Sequence, residues 1–74
     1  MARALTAVAE EGVLACARED QGTVLLLLLE LIAGLDLGHP AARTFCRVYE
    51  AAVHGVGRGS YVTARGLFRI LREL

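Results

Sequence analysis

The chain of 74 residues has no lysine and very little proline or cysteine. Proline occurs once, at Pro40, and 55% of the residues are hydrophobic, a composition that excludes intrinsic disorder. The two cysteines, Cys16 and Cys46, are too few and too far apart in sequence for a disulfide framework. We therefore expect a reducing compartment, and since no targeting segment is recognised, a cytoplasmic location.

Because lysine is absent, all eight basic residues are arginines. Residues 1–42 carry two arginines and six carboxylates, and residues 43–74 carry six arginines and two carboxylates, so charges of −4 and +4 cancel. Arginine suits bidentate contacts with carboxylate or phosphate better than lysine does, although a GC-rich coding sequence produces the same bias. The charges of the two halves could neutralise each other within one fold or between two chains, or each half could bind a partner.

One long apolar run, residues 23–33, dominates the first half of the chain. The apolar segment from Gly22 to Leu35 has 14 residues and contains Glu30, whereas a membrane-spanning helix needs about 20. It therefore predicts a buried helix and no membrane span. A helix that is apolar nearly all round must be covered, and a chain this short has little with which to cover it. We expect the core to be completed by homodimerisation or by a partner chain.

Hydrophobic periodicity predicts an all-α fold, a small bundle of about four helices forming one domain over residues 1–74. Asp20 is expected to cap the second helix and Ser60 the fourth, and Pro40 suits the first turn of the third. The glycine-rich segment 55–60 predicts a flexible break. The expected helices cover about residues 3–18, 21–35, 40–54 and 61–74.

Small residues recur on one face of the first helix, at Ala9, Gly12 and Cys16. This stripe predicts close approach of a neighbouring helix. The expected core and interaction residues are mostly large and apolar: Val24, Leu25, Leu28, Leu29, Ile32, Phe45, Tyr49, Phe68 and Leu71.

The arginines of the second half form helical stripes that are candidate contacts for an anionic partner or a nucleic acid. They are Arg43, Arg47, Arg58, Arg65, Arg69 and Arg72. Most such stripes are solvated surfaces. A binding role requires them to be exposed instead of paired with the carboxylates of Glu10, Glu11, Glu19 and Asp20.

No catalytic, cofactor or metal motif is recognised. Cys46, Glu50 and His54 share a helical face, but the eight residues from Cys46 to His54 span about 12 Å, whereas a nucleophile and its base must approach within about 3 Å. Catalysis would need another part of the fold, or a second chain, to bring a histidine to Cys46. Cys16, Cys46, His39 and His54 include zinc ligand types without paired ligand spacing. We expect no enzymatic activity, metal or cofactor.

The order Gly59, Tyr61, Ala64 and Phe68 in the last segment resembles the second helix of a tetratricopeptide repeat. The resemblance covers only residues 45–74, and no second copy occurs 34 residues away. It implies a helical hairpin of protein-binding type. A lone repeat does not form the usual concave groove, since stacked units are needed.

Two classes of function follow from these patterns. The first is a non-enzymatic protein–protein interaction module, such as an adaptor, a chaperone or a subunit of a complex, associating with itself or with a helical partner. The second is a dimer that binds double-stranded RNA through its arginine-lined helices, as a viral silencing suppressor does. Zero net charge favours the first.

Overall fold

A computed structural model describes residues 4–74 and confirms the predicted all-α bundle. Four helices, and no strand, form within residues 4–74. Neighbouring helices pack in a closed ring, in which α1 contacts α2 and α4, and α3 contacts the same two. The helices are α1 (Leu5–Ala17), α2 (Gln21–Ala33), α3 (Ala42–Gly57) and α4 (Val62–Glu73).

Neighbouring helices run in opposite directions. The start of α1 and the end of α4 lie together with the end of α2 and the start of α3, where residues from all four line one cleft. The radius of gyration is 11.4 Å, close to the roughly 11 Å expected for a compact chain of this length. A single copy of the chain therefore folds into a compact bundle.

The centre of that core combines a few large side chains with small ones. Phe68, Leu28, Val24 and Val56 are the largest fully buried side chains. The predicted stripe of small residues on α1 is buried, and it packs against α4 in the most extensive helix–helix contact of the bundle. Small residues there permit the close packing that the sequence predicts.

The apolar helix α2 is covered on one side only. Its buried residues are Val24, Leu27, Leu28 and Leu31, whereas Leu26 and Leu29 are 69% and 54% exposed. Within residues 4–74, no helix is both long and apolar enough to cross a bilayer. The other side of α2 is therefore exposed on the surface of the bundle.

Helix α2 begins at the predicted cap. Asp20 Oδ1 accepts a hydrogen bond from the Thr23 amide at 3.3 Å, and Asp20 Oδ2 accepts one from Thr23 Oγ1 at 2.7 Å. The residue before the cap, Glu19, has a φ of +54°. The amides of Glu19 and Asp20 donate to the carbonyls of Cys16 and Ala15, which closes α1 in a Schellman motif.

The predicted break at residues 55–60 is wrong in its first half, because α3 continues through Gly57. Val56 is fully buried, so packing favours helix there over the flexibility of the flanking glycines. The helix ends just before Gly59, which adopts a φ of +84°, and the backbone amide of Ser60 donates to the Gly55 carbonyl at 2.8 Å. Ser60 does not cap α4 either, since Tyr61 holds that position with no side-chain hydrogen bond.

Pro40 lies outside α3, contrary to the prediction, and the helix begins at Ala42. A turn comes first, in which the amide of Ala41 donates to His39 Nδ1 at 3.1 Å and the amide of Ala42 to the His39 carbonyl at 3.0 Å. His39 thus satisfies amides that the helix start leaves free. Helix α2 also ends earlier than predicted, at Ala33. The expected start of α1 at Arg3 lies outside the described residues.

Candidate functional site

The predicted core and interaction residues divide into three groups by burial. Those that are buried are Val24, Leu28, Tyr49, Phe68 and Leu71. Leu25 and Ile32 are half-buried and pack against the core. Leu29 and Phe45 are exposed, at 54% and 46%, because none of the helices within residues 4–74 fully covers them. These two belong to surfaces, and each lies on a different one.

The first surface is the outer face of α2, where Gly22, Leu26, Leu29 and Ala33 are all exposed. We name these four residues the α2 seam. Their spacings of four, three and four residues place them on one line along the helix. The seam contains no charged or hydrogen-bonding side chain. The sequence prediction missed Leu26, although the same spacing was visible in the sequence.

The second surface is a cleft at the end of the bundle where α1 begins, with a volume of about 560 Å³. We name it the bundle-end cleft. It unites three of the predicted residues, Phe45, Tyr49 and Leu71, and the first two form a ring contact with centroids 6.4 Å apart and planes inclined by 27°. The other described lining residues are Leu5, Val8, Glu30, Leu31, Gly34, Leu35 and Leu74.

A second cleft, of about 510 Å³, lies at the opposite end of the bundle and is more polar. It is lined by residues of two turns, among them Glu19, Ser60 and Tyr61, together with Arg65. The Tyr61 hydroxyl donates to the Glu19 carbonyl at 3.1 Å, which ties the two turns together. The residues of the polar cleft therefore have a structural role, because this hydrogen bond joins the turn after α1 to the turn before α4.

The six candidate arginines are exposed on α3, on α4 and in the turn between them. Within residues 4–74, hydrogen bonds join carboxylates to Thr23, Gly38 and Cys46, and none of these six arginines forms an ion pair with a carboxylate. Arg65, Arg69 and Arg72 form a stripe on α4, and Arg43 and Arg47 a shorter one on α3. The cationic groups are therefore available to a partner.

Cys46 is held in an environment that opposes nucleophilic chemistry. Its thiol donates to Glu50 Oε1 across 3.4 Å, and this hydrogen bond raises the pKa of Cys46. A reactive cysteine needs the opposite shift. Burial likewise raises the pKa of the Cys16 thiol, with a smaller opposing effect of Arg65. Within residues 4–74, no three histidine, cysteine or acidic residues gather as metal ligands.

Comparison with protein-family models, curated proteins and solved structures finds no match to this chain. The resemblance of residues 45–74 to a tetratricopeptide hairpin stays a prediction. The function is therefore inferred from the surfaces themselves.

Proposed function

We propose that this protein is a non-enzymatic helical interaction module, of the adaptor, chaperone or complex-subunit kind, that acts as a homodimer. The observation that supports the proposal is the α2 seam, an uncharged row in which Leu26 and Leu29 are 69% and 54% exposed. We also propose a cytoplasmic location, supported by the two free cysteines.

A second copy of the chain is the occupant that suits the α2 seam. In a two-fold dimer the same patch must complement itself. Along α2 the seam has the order small, leucine, leucine, small, which is the same in both chain directions. Gly22 and Ala33 let two helices approach, while Leu26 and Leu29 fill the space between them. Since the seam has no charge, pairing two copies of it buries no unpaired ion.

The length of the seam indicates how strongly two copies of the chain should associate. Gly22 and Ala33 are eleven positions apart, which corresponds to about 16 Å of helix. A contact between single helices of that length belongs to the low end of specific interfaces, so we expect a dissociation constant on the order of micromolar. Association should therefore depend on concentration.

The test is sedimentation equilibrium of the wild type from about 1 µM to 1 mM, beside two matched variants. Leu26→Arg introduces a charge on the seam, and Ile70→Arg introduces the same charge on α4, where Ile70 is 63% exposed. We expect Leu26→Arg to stay folded and monomeric while Ile70→Arg dimerises as the wild type does. A wild type that is monomeric throughout, or two variants that behave alike, would contradict the proposal.

A second candidate function is supported by the exposed arginines that have no carboxylate partner within residues 4–74. In a dimer the stripes on α3 and α4 would be doubled into a track for the phosphates of double-stranded RNA. Binding of this kind weakens steeply as salt rises, because condensed counterions are released.

Light scattering of the protein with a short RNA duplex tests this candidate at about 50 mM and 300 mM salt. The RNA candidate requires a mass that rises at low salt and returns to that of the protein at high salt. It also requires that Arg69→Gln on the α4 stripe weaken binding, while Arg18→Gln, at the exposed end of α1, leaves it unchanged. No rise at low salt contradicts it.

A further inference from the structure

We propose that the bundle-end cleft binds a small molecule that has an apolar body and one oxygen that accepts a hydrogen bond. The cleft has the size and composition of such sites. Its volume of about 560 Å³ lies within the roughly 300–1,000 Å³ of ligand pockets, which are lined by hydrophobic side chains and a few polar groups. Residues of all four helices form the walls.

Phe45 indicates that the cleft is a part of the core left unfilled. It lies one helical turn before Tyr49 on the inner face of α3, yet it is 46% exposed whereas Tyr49 is 5% exposed. The two rings are stacked side by side in the wall of the cleft. An apolar group placed against Phe45 would therefore continue the packing that the core begins.

Tyr49 supplies the hydrogen-bonding group. Its hydroxyl has no hydrogen-bond partner within residues 4–74, although buried tyrosines normally have one. No fully enclosed side-chain oxygen of the described residues lacks a partner, so this hydroxyl reaches an accessible surface. Tyr49 lines the bundle-end cleft, and we place its hydroxyl there. A ligand oxygen there would accept the hydrogen bond that the protein leaves unmade.

Size and lining narrow the class of ligand. A volume of about 560 Å³ suits a drug-sized molecule. The described lining is mostly apolar. Together with the Tyr49 hydroxyl it favours ketones, alcohols or esters that have an apolar body.

The test is a fluorescence titration of the full chain with prodan, a neutral naphthyl ketone whose emission shifts to the blue in apolar surroundings. We expect saturable binding of one prodan per chain. Gly34→Leu places a side chain in the cleft without a forbidden backbone angle, since Gly34 has a φ of −84°, and should weaken binding at least about tenfold. Gly66→Leu is the matched control, because Gly66 is exposed on α4 and does not line the cleft.

A further measurement tests the chemistry of the site. Tyr49→Phe should weaken prodan binding by roughly threefold to tenfold, the effect of one hydrogen bond, without a comparable fall in the thermal midpoint. The proposal is overturned if prodan shows no saturable binding, if both glycine variants act alike, or if Tyr49→Phe binds prodan as the wild type does.

Discussion

The ring of Phe68 lies directly against the backbone of Gly12, at the contact between α4 and α1. Both residues are buried. A methyl group built at Gly12 would overlap three carbon atoms of the ring. Glycine is therefore required at this position by close packing, since its helical backbone angle would suit any residue.

Gly12→Ala should destabilise the protein by about 1–2 kcal/mol. Overpacking a filled core costs typically 1–3 kcal/mol, and the better helix propensity of alanine returns up to about 1 kcal/mol. Urea unfolding followed by circular dichroism measures the difference.

Gly66→Ala is the control for that experiment. Gly66 is also within a helix, but a methyl group added there meets no atom within 4 Å. The higher helix propensity of alanine is then the only effect on stability, and we expect stabilisation of about 0.5–1 kcal/mol. Equal effects at the two positions would show that the Phe68 ring does not restrict Gly12.

The contact between Gly12 and Phe68 shows how far the sequence predicts the fold. The stripe of Ala9, Gly12 and Cys16 predicted that some helix approaches α1 closely, because periodicity is a local property. It did not predict α4 as that helix, since pairing depends on the closure of the whole bundle. The end of α3 was missed for the same reason, because only tertiary packing shows that Val56 is buried.

The surfaces were harder to predict than the core. The composition of α2 predicted that it needs cover, but not which side this chain would leave open, so Leu29 was grouped with buried residues such as Leu28. The bundle-end cleft brings together residues separated by most of the chain, from Leu5 to Leu74. Such a cavity has no signature in local periodicity.

Glu19→Gly should stabilise the protein by about 0.5–1 kcal/mol. Glu19 has a φ of +54° at the end of α1, where a left-handed conformation costs a residue with a side chain roughly 1–2 kcal/mol. Glycine removes that cost but loses more entropy on folding. The hydrogen bond from Tyr61 is kept, because it goes to the backbone carbonyl of residue 19.

The neighbouring residue provides the control for this prediction. Arg18 has a φ of −87°, in the right-handed region, so Arg18→Gly should give no stabilisation and a small loss. The thermal midpoints of both variants, compared with that of the wild type, test the prediction. If Glu19→Gly lowers the midpoint as much as Arg18→Gly does, the backbone of Glu19 is not strained.

Leu28→Asp should leave no folded protein, whereas Leu26→Asp should fold. Leu28 is fully buried and Leu26 is 69% exposed, although they are two residues apart on α2. An unpaired buried carboxylate costs several kcal/mol, as much as the roughly 3–5 kcal/mol that a core of this size supplies. Circular dichroism distinguishes the two, and a folded Leu28→Asp with an unchanged midpoint would refute the central place of α2 in the core.

The cap of α2 should make stability depend on pH through Asp20. The hydrogen bonds from the Thr23 hydroxyl and the Thr23 amide lower the pKa of the Asp20 carboxyl from its ordinary value of 3.8. Because folding favours the ionised form, the stabilisation is complete above the ordinary pKa and is lost as the pH falls through the lower pKa of the folded state. We expect Asp20→Ala to lower the thermal midpoint at about pH 7, and the difference from the wild type to shrink below about pH 4.

The Asp20→Asn variant separates the effect of charge from the effect of capping, since its amide oxygen still accepts hydrogen bonds but does not ionise. Its midpoint at neutral pH should lie above that of Asp20→Ala, and its advantage over Asp20→Ala should persist into acid. A wild type whose advantage over Asp20→Ala is constant down to about pH 2 would show that the carboxylate charge does not contribute to the cap.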